Sequence, residues 1–213
     1  MPVCYIVGAA PKCATLSPRE GDLVIAADGG YVTLAGMGIL PHLAVGDFDS
    51  SQIPSHIPTV RHPVEKDDTD TALALAEGMR RGYTTFALYG CTGGRPDHTF
   101  GAVQTALGAA KQGCRVFLVG EDMIGTVLVN ESFSFSASGT VSVFSLSEDA
   151  RGVTLSGLKY SLEDATLTND FPLGVSNEAQ GETVTVSVRD GALYLLWEAN
   201  ALPVRKGDVW SIA

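Results

Sequence analysis

Short apolar runs alternate with helical patterns over roughly the first 120 residues of the chain. Each run is continuous, β-prone and ends near Gly or Asp, which is typical of strands buried on both faces of a mostly parallel sheet. The runs cover residues 3–7, 23–26, 43–45, 85–89 and 116–119. This order of elements predicts an α/β fold in which helices are wound around the sheet.

Two helices are predicted in this part of the chain by apolar residues three and four positions apart. The first, over residues 69–80, begins behind Asp68 and Thr69, which are good N-cap types. Its apolar stripe consists of Ala72, Leu75, Ala76 and Met79. The second helix ends with Lys111 and Gly113, residues that suit a helix C-terminus. Its apolar stripe consists of Phe100, Val103, Leu107 and Ala110.

Beyond about residue 122 the composition shifts to Ser, Thr, Val and Gly, and no amphipathic stripe exceeds two helical turns. Residues 132–136 and 183–188 alternate polar and apolar side chains, which predicts strands with one solvated face. Turn signals follow at 138–139, 190–191 and 206–207. We therefore predict two domains, an α/β domain over residues 1–122 and a smaller antiparallel β-sandwich or half-barrel over residues 123–213.

The net charge of the chain limits which partners it can bind, and its cysteines indicate the compartment in which it works. The chain has 24 acidic and 14 basic side chains and a net charge of −10, which repels nucleic acid and anionic membranes. Cys4, Cys13, Cys91 and Cys114 are far apart, so reduced thiols are expected. No basic residue precedes the first apolar run, and no run approaches the roughly 18 residues needed to cross a bilayer. We expect a cytoplasmic protein.

Acidic residues cluster where the predicted strands end, which is where open α/β sheets bind ligands. In residues 46–50, an extended backbone would place Asp47 and Asp49 on one side and Phe48 toward the core. Two carboxylates on one face suit Mg²⁺, which prefers oxygen ligands and bridges to phosphates. Alternatively, both Asp residues merely cap turns, which is the more common role of a lone D-x-D.

The segment 65–71 strengthens the metal hypothesis, because it holds four carboxylates within six residues. Capping a helix needs only one of them, and the others repel one another unless cations lie among them. The free N–H groups of a helix start also suit a phosphate.

A glycine-rich segment over residues 90–98 lies between a predicted strand and a predicted helix, a context that suits phosphate binding. Arg95 is able to hold a phosphate through two hydrogen bonds. Alternatively, Arg95 and Asp97 form a surface ion pair and His98 simply begins a helix. Asp28, Gly29 and Gly30 end another strand, either for close approach of a ligand or as a tight turn.

The second half of the chain contains fewer candidate functional residues. Residues 174–178 form a polar turn that either binds a small ligand or reverses the chain. Tyr160 and Trp197 are aromatic residues of the kind more often found in a core, although an aromatic face such as that of Trp197 would also support a bound cation. Cys91 has no partner His at a recognisable spacing and is interpreted as structural.

Taken in order, the segments 28–30, 46–50, 66–70 and 93–98 resemble the thiamine pyrophosphokinase family. Residues 157–160 and 174–178 are similar to the family's substrate-domain signature, so the resemblance spans nearly the whole chain. It implies transfer of the pyrophosphoryl group of ATP to the hydroxyl of thiamine, giving thiamine diphosphate and AMP, with Mg²⁺ required. It also implies a homodimer with sites between subunits.

The resemblance assigns roles to individual residues. Asp47, Asp49 and Asp70 would be the catalytic and metal-binding carboxylates, and Ser176 and Asn177 would face thiamine. The residues expected to bind ATP are Asp28, Gly29, Lys66, Asp67, Thr69, Arg95, Asp97 and His98.

The residue types suit this reaction, because an acidic site repels ATP unless a metal neutralises it, and phosphoryl transfer needs mainly positioning and neutralised charge. Two alternatives remain at this point. Another metal-dependent nucleotide or nucleotide-sugar transferase would also use a D-x-D site, whereas a non-catalytic binding module would need none.

Overall fold

A computed structural model of the protein describes residues 1–11, 13–48, 55–61, 68–199, 203–206 and 209–212. The chain divides into two compact units. The first contains Met1–Ala109 and Gly113–Glu121, and the second contains Ala110–Gln112 and Asp122–Ala213. No helix within the described ranges is long and apolar enough to cross a membrane.

The first unit is a parallel sheet with helices between its strands. Its elements are β1 (Cys4–Val7), β2 (Leu23–Ala27), α1 (Gly30–Gly36), β3 (Leu43–Gly46), β4 (Thr59–Arg61), α2 (Asp70–Arg80), β5 (Thr85–Tyr89), α3 (Pro96–Ala110) and β6 (Arg115–Val119). The strands lie in the order β6-β5-β1-β2-β3-β4, and each neighbouring pair is parallel. β1, β2, β3 and β5 are buried along their whole length, as predicted for a sheet covered on both faces.

Two elements of this unit were not predicted. Helix α1 begins and ends with glycine and carries β-branched Val32 and Thr33, so its helical propensity is low. Strand β4 has three residues, none of them buried, and therefore lacks an apolar run. Both form because neighbouring strands hold them, a tertiary effect that no local pattern records.

Both predicted helices exist, but their buried faces are rotated from the predicted stripes. Helix α2 buries Ala74, Leu75 and Gly78 and exposes Ala76. A Cβ atom at Gly78 would lie 2.6 Å from a ring carbon of Phe86, so the glycine allows close packing on β5. The predicted stripe missed this face because glycine has no hydrophobic side chain to count.

Helix α3 likewise packs through small residues. It buries Ala102, Val103, Ala106 and Ala109, whereas Phe100 is 63% exposed. The prediction that Phe100 leads the buried stripe is therefore wrong, since the largest apolar residue of this helix lies on its outer side.

The second unit is antiparallel. Its elements are β7 (Met123–Val129), β8 (Ser132–Ser145), β9 (Asp149–Ser156), β10 (Leu162–Thr168), β11 (Gly174–Ser187), β12 (Ala192–Glu198), β13 (Pro203–Lys206) and β14 (Val209–Ile212). Six strands follow the order β10-β9-β11-β8-β12-β7 with antiparallel pairing, and β13 pairs with β14 separately. Phe135, Val184 and Val186 are buried between exposed or half-buried Ser and Thr neighbours, which confirms the alternation.

The predicted turn at residues 138–139 is wrong, because β8 continues through it and pairs with β11 on both sides. Gly139 has φ +86°, and the carboxylate of Glu198 lies close to the position that a Cβ atom would occupy. Glu198 Oε1 accepts a hydrogen bond from Thr140 N at 3.0 Å. The Glu198 side chain, at the end of β12, thus holds the left-handed Gly139 within the long strand β8. The sequence shows only a Ser-Gly pair that is typical of a turn.

Candidate active site

The first unit contains a pocket of about 330 Å³ where its parallel strands end and its helices begin. This is the edge at which open α/β sheets bind ligands. The residues that line it are Gly8, Ala9, Ala10, Pro11, Ala27, Asp28, Thr69, Asp70, Thr71, Gly90, Cys91, Gly94, Arg95, His98 and Ala102.

Five of the predicted site residues meet in this pocket: Asp28, Thr69, Asp70, Arg95 and His98. They come from the end of β2, the start of α2 and the start of α3. Two carboxylates, a guanidinium and an imidazole thus share one concave surface, although the segments that carry them are far apart in sequence. Such a mixture suits a ligand that combines phosphates with a metal ion.

In the wall of the pocket, the backbone that follows β1 crosses closely over the backbone that follows β5, and the sequence pattern indicated only the second of these segments. Ala10 N donates to Gly90 O at 2.9 Å, and Gly8 N donates to Tyr89 O at 2.8 Å. A Cβ atom at either glycine would lie 2.6 Å from the carbonyl oxygen of the other. The segment after β1 was missed because Gly8 is followed by Ala and Pro, which carry no reactive group; a glycine directly after a buried strand was the available signal.

Asp28 is held by a strained turn at the end of β2. Its φ is +44°, and its N–H donates to Val45 O at 2.8 Å. Gly29 follows as the N-cap of α1, and a Cβ atom there would lie 2.9 Å from the Cβ of Ala9. Close approach between segments explains the glycine, and the carboxylate of Asp28 is left at the pocket.

Asp47 and Phe48 follow β3, next to the turn of Asp28. Gly46 lies so close to Asp28 that a Cβ atom would be 3.2 Å from the Asp28 Cα. Phe48 has φ +58°, so the backbone is not extended at this residue. The prediction of an extended backbone over residues 46–50 is therefore wrong at Phe48. Both side chains are half-buried, and Asp47 is not among the described residues that line the pocket. Asp49 lies outside the described residues.

Helix α2 begins with one of the two N-cap residues that the sequence indicated, Thr69. Thr69 Oγ1 accepts a hydrogen bond from Ala72 N at 3.2 Å, and Asp70 is the first helical residue. The Thr69 side chain therefore supplies the cap, and Asp70 lines the pocket. The predicted ATP-binding residues Lys66 and Asp67 lie outside the described residues.

Arg95 and Asp97 form the surface ion pair that was the alternative to phosphate binding. Arg95 Nη2 and Nε lie 2.5 Å and 3.2 Å from the Asp97 carboxylate oxygens, and both side chains are mostly exposed. The Arg95 hydrogen bond lowers the pKa of Asp97. A phosphate at Arg95 would have to compete with this carboxylate.

Cys91 is buried in the pocket wall and is not an activated nucleophile. Its thiol donates to Tyr89 O at 3.3 Å, and burial raises the pKa of Cys91 to about 11. The thiol therefore stays protonated near neutral pH, in agreement with the structural interpretation.

In the second unit, Ser176 and Asn177 lie on β11. Ser176 is exposed, has φ +58°, and its N–H donates to Ser142 Oγ at 3.0 Å. Asn177 is buried, and its Oδ1 accepts from Tyr160 N at 3.0 Å and from Glu178 N at 2.9 Å. Its Nδ2 donates to Tyr160 O at 2.6 Å. The amide group of Asn177 therefore bonds to the protein's own backbone on both its oxygen and its nitrogen.

Of the two aromatic residues expected in a core, Trp197 is buried and Tyr160 is exposed. Trp197 is fully buried against Phe133 and Phe135, so it offers no face to thiamine and the cation-support hypothesis for it is wrong. Tyr160, expected in a core, is 63% exposed, with Lys159 Nζ 5.8 Å from its ring centroid.

No three His, Cys, Asp or Glu side chains converge on a metal-binding cluster within the part of the chain that the structure describes. Asp28 and Asp70 nevertheless share the pocket. Mg²⁺ is commonly held by one or two carboxylates together with substrate phosphates, so this set of donors fits the ion.

Each half of the chain matches a known protein family model. Residues 18–118 match the family model described as thiamin pyrophosphokinase, catalytic domain. Residues 128–193 match the model described as thiamin pyrophosphokinase, vitamin B1 binding domain. A curated thiamine pyrophosphokinase from Bacillus subtilis (strain 168) is 30% identical over 187 residues, which cover 83% of this chain and 87% of the relative.

Solved structures give the same result. Thiamine pyrophosphokinase from Bacillus subtilis superposes with a TM-score of 0.85 at 28% identity, covering 93% of this chain and 99% of that chain. The enzyme from Geobacillus thermodenitrificans gives a TM-score of 0.81 at 28% identity, covering 95% and 100%.

A parallel α/β unit with a carboxylate-lined pocket, followed by an antiparallel unit that matches a vitamin-binding domain, defines a two-domain kinase. More specifically, the chain belongs to the thiamin pyrophosphokinase family.

Proposed function

We propose that the pocket of the first unit binds the phosphates of ATP and that β11 of the second unit contacts thiamine. The reaction is that of the family: the pyrophosphoryl group of ATP is transferred to the hydroxyl of thiamine, giving thiamine diphosphate and AMP. The observation that carries the assignment of the nucleotide is the meeting of Asp28, Asp70, Arg95 and His98 in one pocket.

Members of the family depend in general on a metal ion, and we infer that this chain uses Mg²⁺. Asp70, which lines the pocket, would hold it together with Asp47 and Asp49, the D-x-D pair that follows β3, and Asp28 would lie beside the bound nucleotide. When bound, the ion would neutralise phosphate charge and stabilise the charge that develops during transfer.

The chain's own groups would divide the remaining work. Arg95, Lys66 and His98 would bind phosphate oxygens, with Thr69, Asp67, Gly29 and Asp97 around them. A carboxylate that is not occupied by the metal would accept the proton of the thiamine hydroxyl as it attacks. The negative charge of the protein, −10 overall, favours approach of the thiazolium cation of thiamine.

We infer that the protein is a homodimer in which the second unit contributes to the interface. Exposed apolar side chains support this, since large apolar surfaces usually mark contact sites. They are Tyr160, Phe171, Leu173 and Val175.

We further infer that residues 1–122 form the catalytic domain and residues 123–213 the thiamine-binding domain, a sandwich or half-barrel. All four cysteines are free, which suits the cytoplasm.

Substitution of the carboxylates tests the proposed metal site. Asp49→Asn and Asp70→Ala should each abolish turnover. Loss of a helix-terminal charge at Asp70 should lower stability by only about 0.3–1 kcal/mol. Steady-state assays and thermal unfolding of both variants give the answer. Near-normal turnover in a folded Asp49→Asn protein, or a large drop in melting temperature with full activity for Asp70→Ala, would refute the assignment.

A further inference from the structure

One arginine outside the pocket contacts the segment that carries the D-x-D pair. β3 and β4 are parallel, and Gly46 and Arg61 are partners in their register. The guanidinium carbon of Arg61 lies 5.5 Å from the ring centroid of Phe48. This distance is within the range of a cation–π contact, in which the positive charge is attracted to the face of the ring.

Phe48 has a strained backbone conformation. Its φ of +58° is a conformation that L-residues other than Asn, Asp and His rarely adopt. Strained residues of this kind persist when surrounding contacts hold them. The backbone beside it is crowded, because a Cβ atom at Gly46 would lie 3.2 Å from the Asp28 Cα. The conformation of Phe48 therefore sets the direction of the backbone directly after β3, beside Asp47.

Arg61 has no evident role in the core that would explain its position. β4 is an edge strand, and Arg61 is exposed on it. Its contact with Phe48 brings its positive charge next to the residue that follows Asp47.

We propose that Arg61 is a positioning residue for the metal site: its guanidinium packs on Phe48, holds the left-handed turn and thereby orients Asp47. The inference rests on the proposed function, which assigns Asp47 to the metal. Arg61 acts through Phe48 and does not itself contact the phosphates.

A double-mutant cycle with Arg61→Ala, Phe48→Leu and the combined variant tests this. Binding of Mn²⁺, a probe for the Mg²⁺ site, is measured by electron paramagnetic resonance in the presence of ATP, and the activation constant for Mg²⁺ is measured by assay. Each single change should weaken Mn²⁺ binding about two- to fivefold, the effect of losing one cation–π contact. The combined variant should be no weaker than the weaker single variant, because both remove the same contact.

Matched variants separate this effect from others. Arg80→Ala removes an exposed arginine of the same unit that pairs with Glu77, and it should leave Mn²⁺ binding unchanged. Phe48→Tyr keeps the aromatic ring and should bind Mn²⁺ as the wild type does, which keeps the test usable if Phe48→Leu fails to fold.

Two results would overturn the inference. Additive losses in the cycle would mean that Arg61 and Phe48 act separately, and a raised KM for ATP with unchanged Mn²⁺ binding would mean that Arg61 contacts the phosphates directly. Failure of the proposed function is distinguishable, because in that case Asp47→Asn itself would leave Mn²⁺ binding intact.

Discussion

At the scale of single residues, the buried amide of Asn177 joins two segments of the second unit. It holds both the N–H and the C=O of Tyr160, whose ring is exposed, and so fixes the backbone just before β10. If thiamine contacts this surface, Asn177 contributes both as a ligand and through the shape of the segment it holds.

Asn177→Ala should raise the KM for thiamine and leave the KM for ATP nearly unchanged. Loss of the buried hydrogen bonds should also destabilise the protein by about 1–3 kcal/mol. Separate titrations of the two substrates and chemical denaturation measure these effects. Ser134→Ala, which removes an exposed hydroxyl paired with Thr185 in the same unit, is the control. An effect confined to ATP would place the nucleotide in the second unit and contradict the division of roles.

At the scale of elements, the parallel strands β1, β2, β3, β5 and β6 were predictable because strands covered on both faces require continuous apolar runs, whereas the exposed edge strand β4 was not. The faces of α2 and α3 were not, because they pack through Gly and Ala rather than through their largest side chains. The site was partly predictable for a related reason: Asp28, Asp70 and Arg95 follow or precede recognisable elements, and strand ends converge. Two parts of the site region were not predictable. The segment after β1 consists of small apolar residues without a reactive group, and nothing in the sequence indicates the left-handed conformation of Phe48.

The close packing of α2 predicts opposite effects for two Gly→Ala substitutions. Gly78→Ala should destabilise by about 1–3 kcal/mol through overpacking, because its Cβ would lie 2.6 Å from Phe86 and 2.9 Å from Cys4 Sγ. Gly101→Ala in α3 meets no atom within 4 Å and should stabilise by up to about 1 kcal/mol through helix propensity. Denaturant unfolding of both variants checks this, and a stabilising Gly78→Ala would show that α2 packs differently.

The end of α2 predicts a dependence of stability on acidity. Hydrogen bonds from Arg80, with help from Arg81, lower the pKa of Glu77 from 4.5 to about 2. Because the folded pKa lies below the unfolded one, this contribution is present above about pH 4.5 and is lost as the pH falls toward 2. Denaturation of the wild type and Glu77→Gln across this range should give free energies of unfolding that converge as the pH falls. A constant difference would rule out the ion pair as the cause.

At the scale of the whole molecule, the proposed shared site requires a dimer. A site shared between subunits needs an interface of at least roughly 1,200 Å². Analytical ultracentrifugation combined with specific activity over a dilution series should show activity falling together with the dimer. A monomer that remains fully active would contradict the shared site.

The fate of the β-phosphate of ATP tests the central claim most directly. With ATP labelled at that phosphate, together with thiamine and Mg²⁺, pyrophosphoryl transfer moves the label into thiamine diphosphate and releases an equal amount of unlabelled AMP. We predict this outcome for the wild type and no label transfer for Asp70→Ala. Labelled ADP accompanied by thiamine monophosphate, or labelled ADP accompanied by free phosphate, would contradict the account.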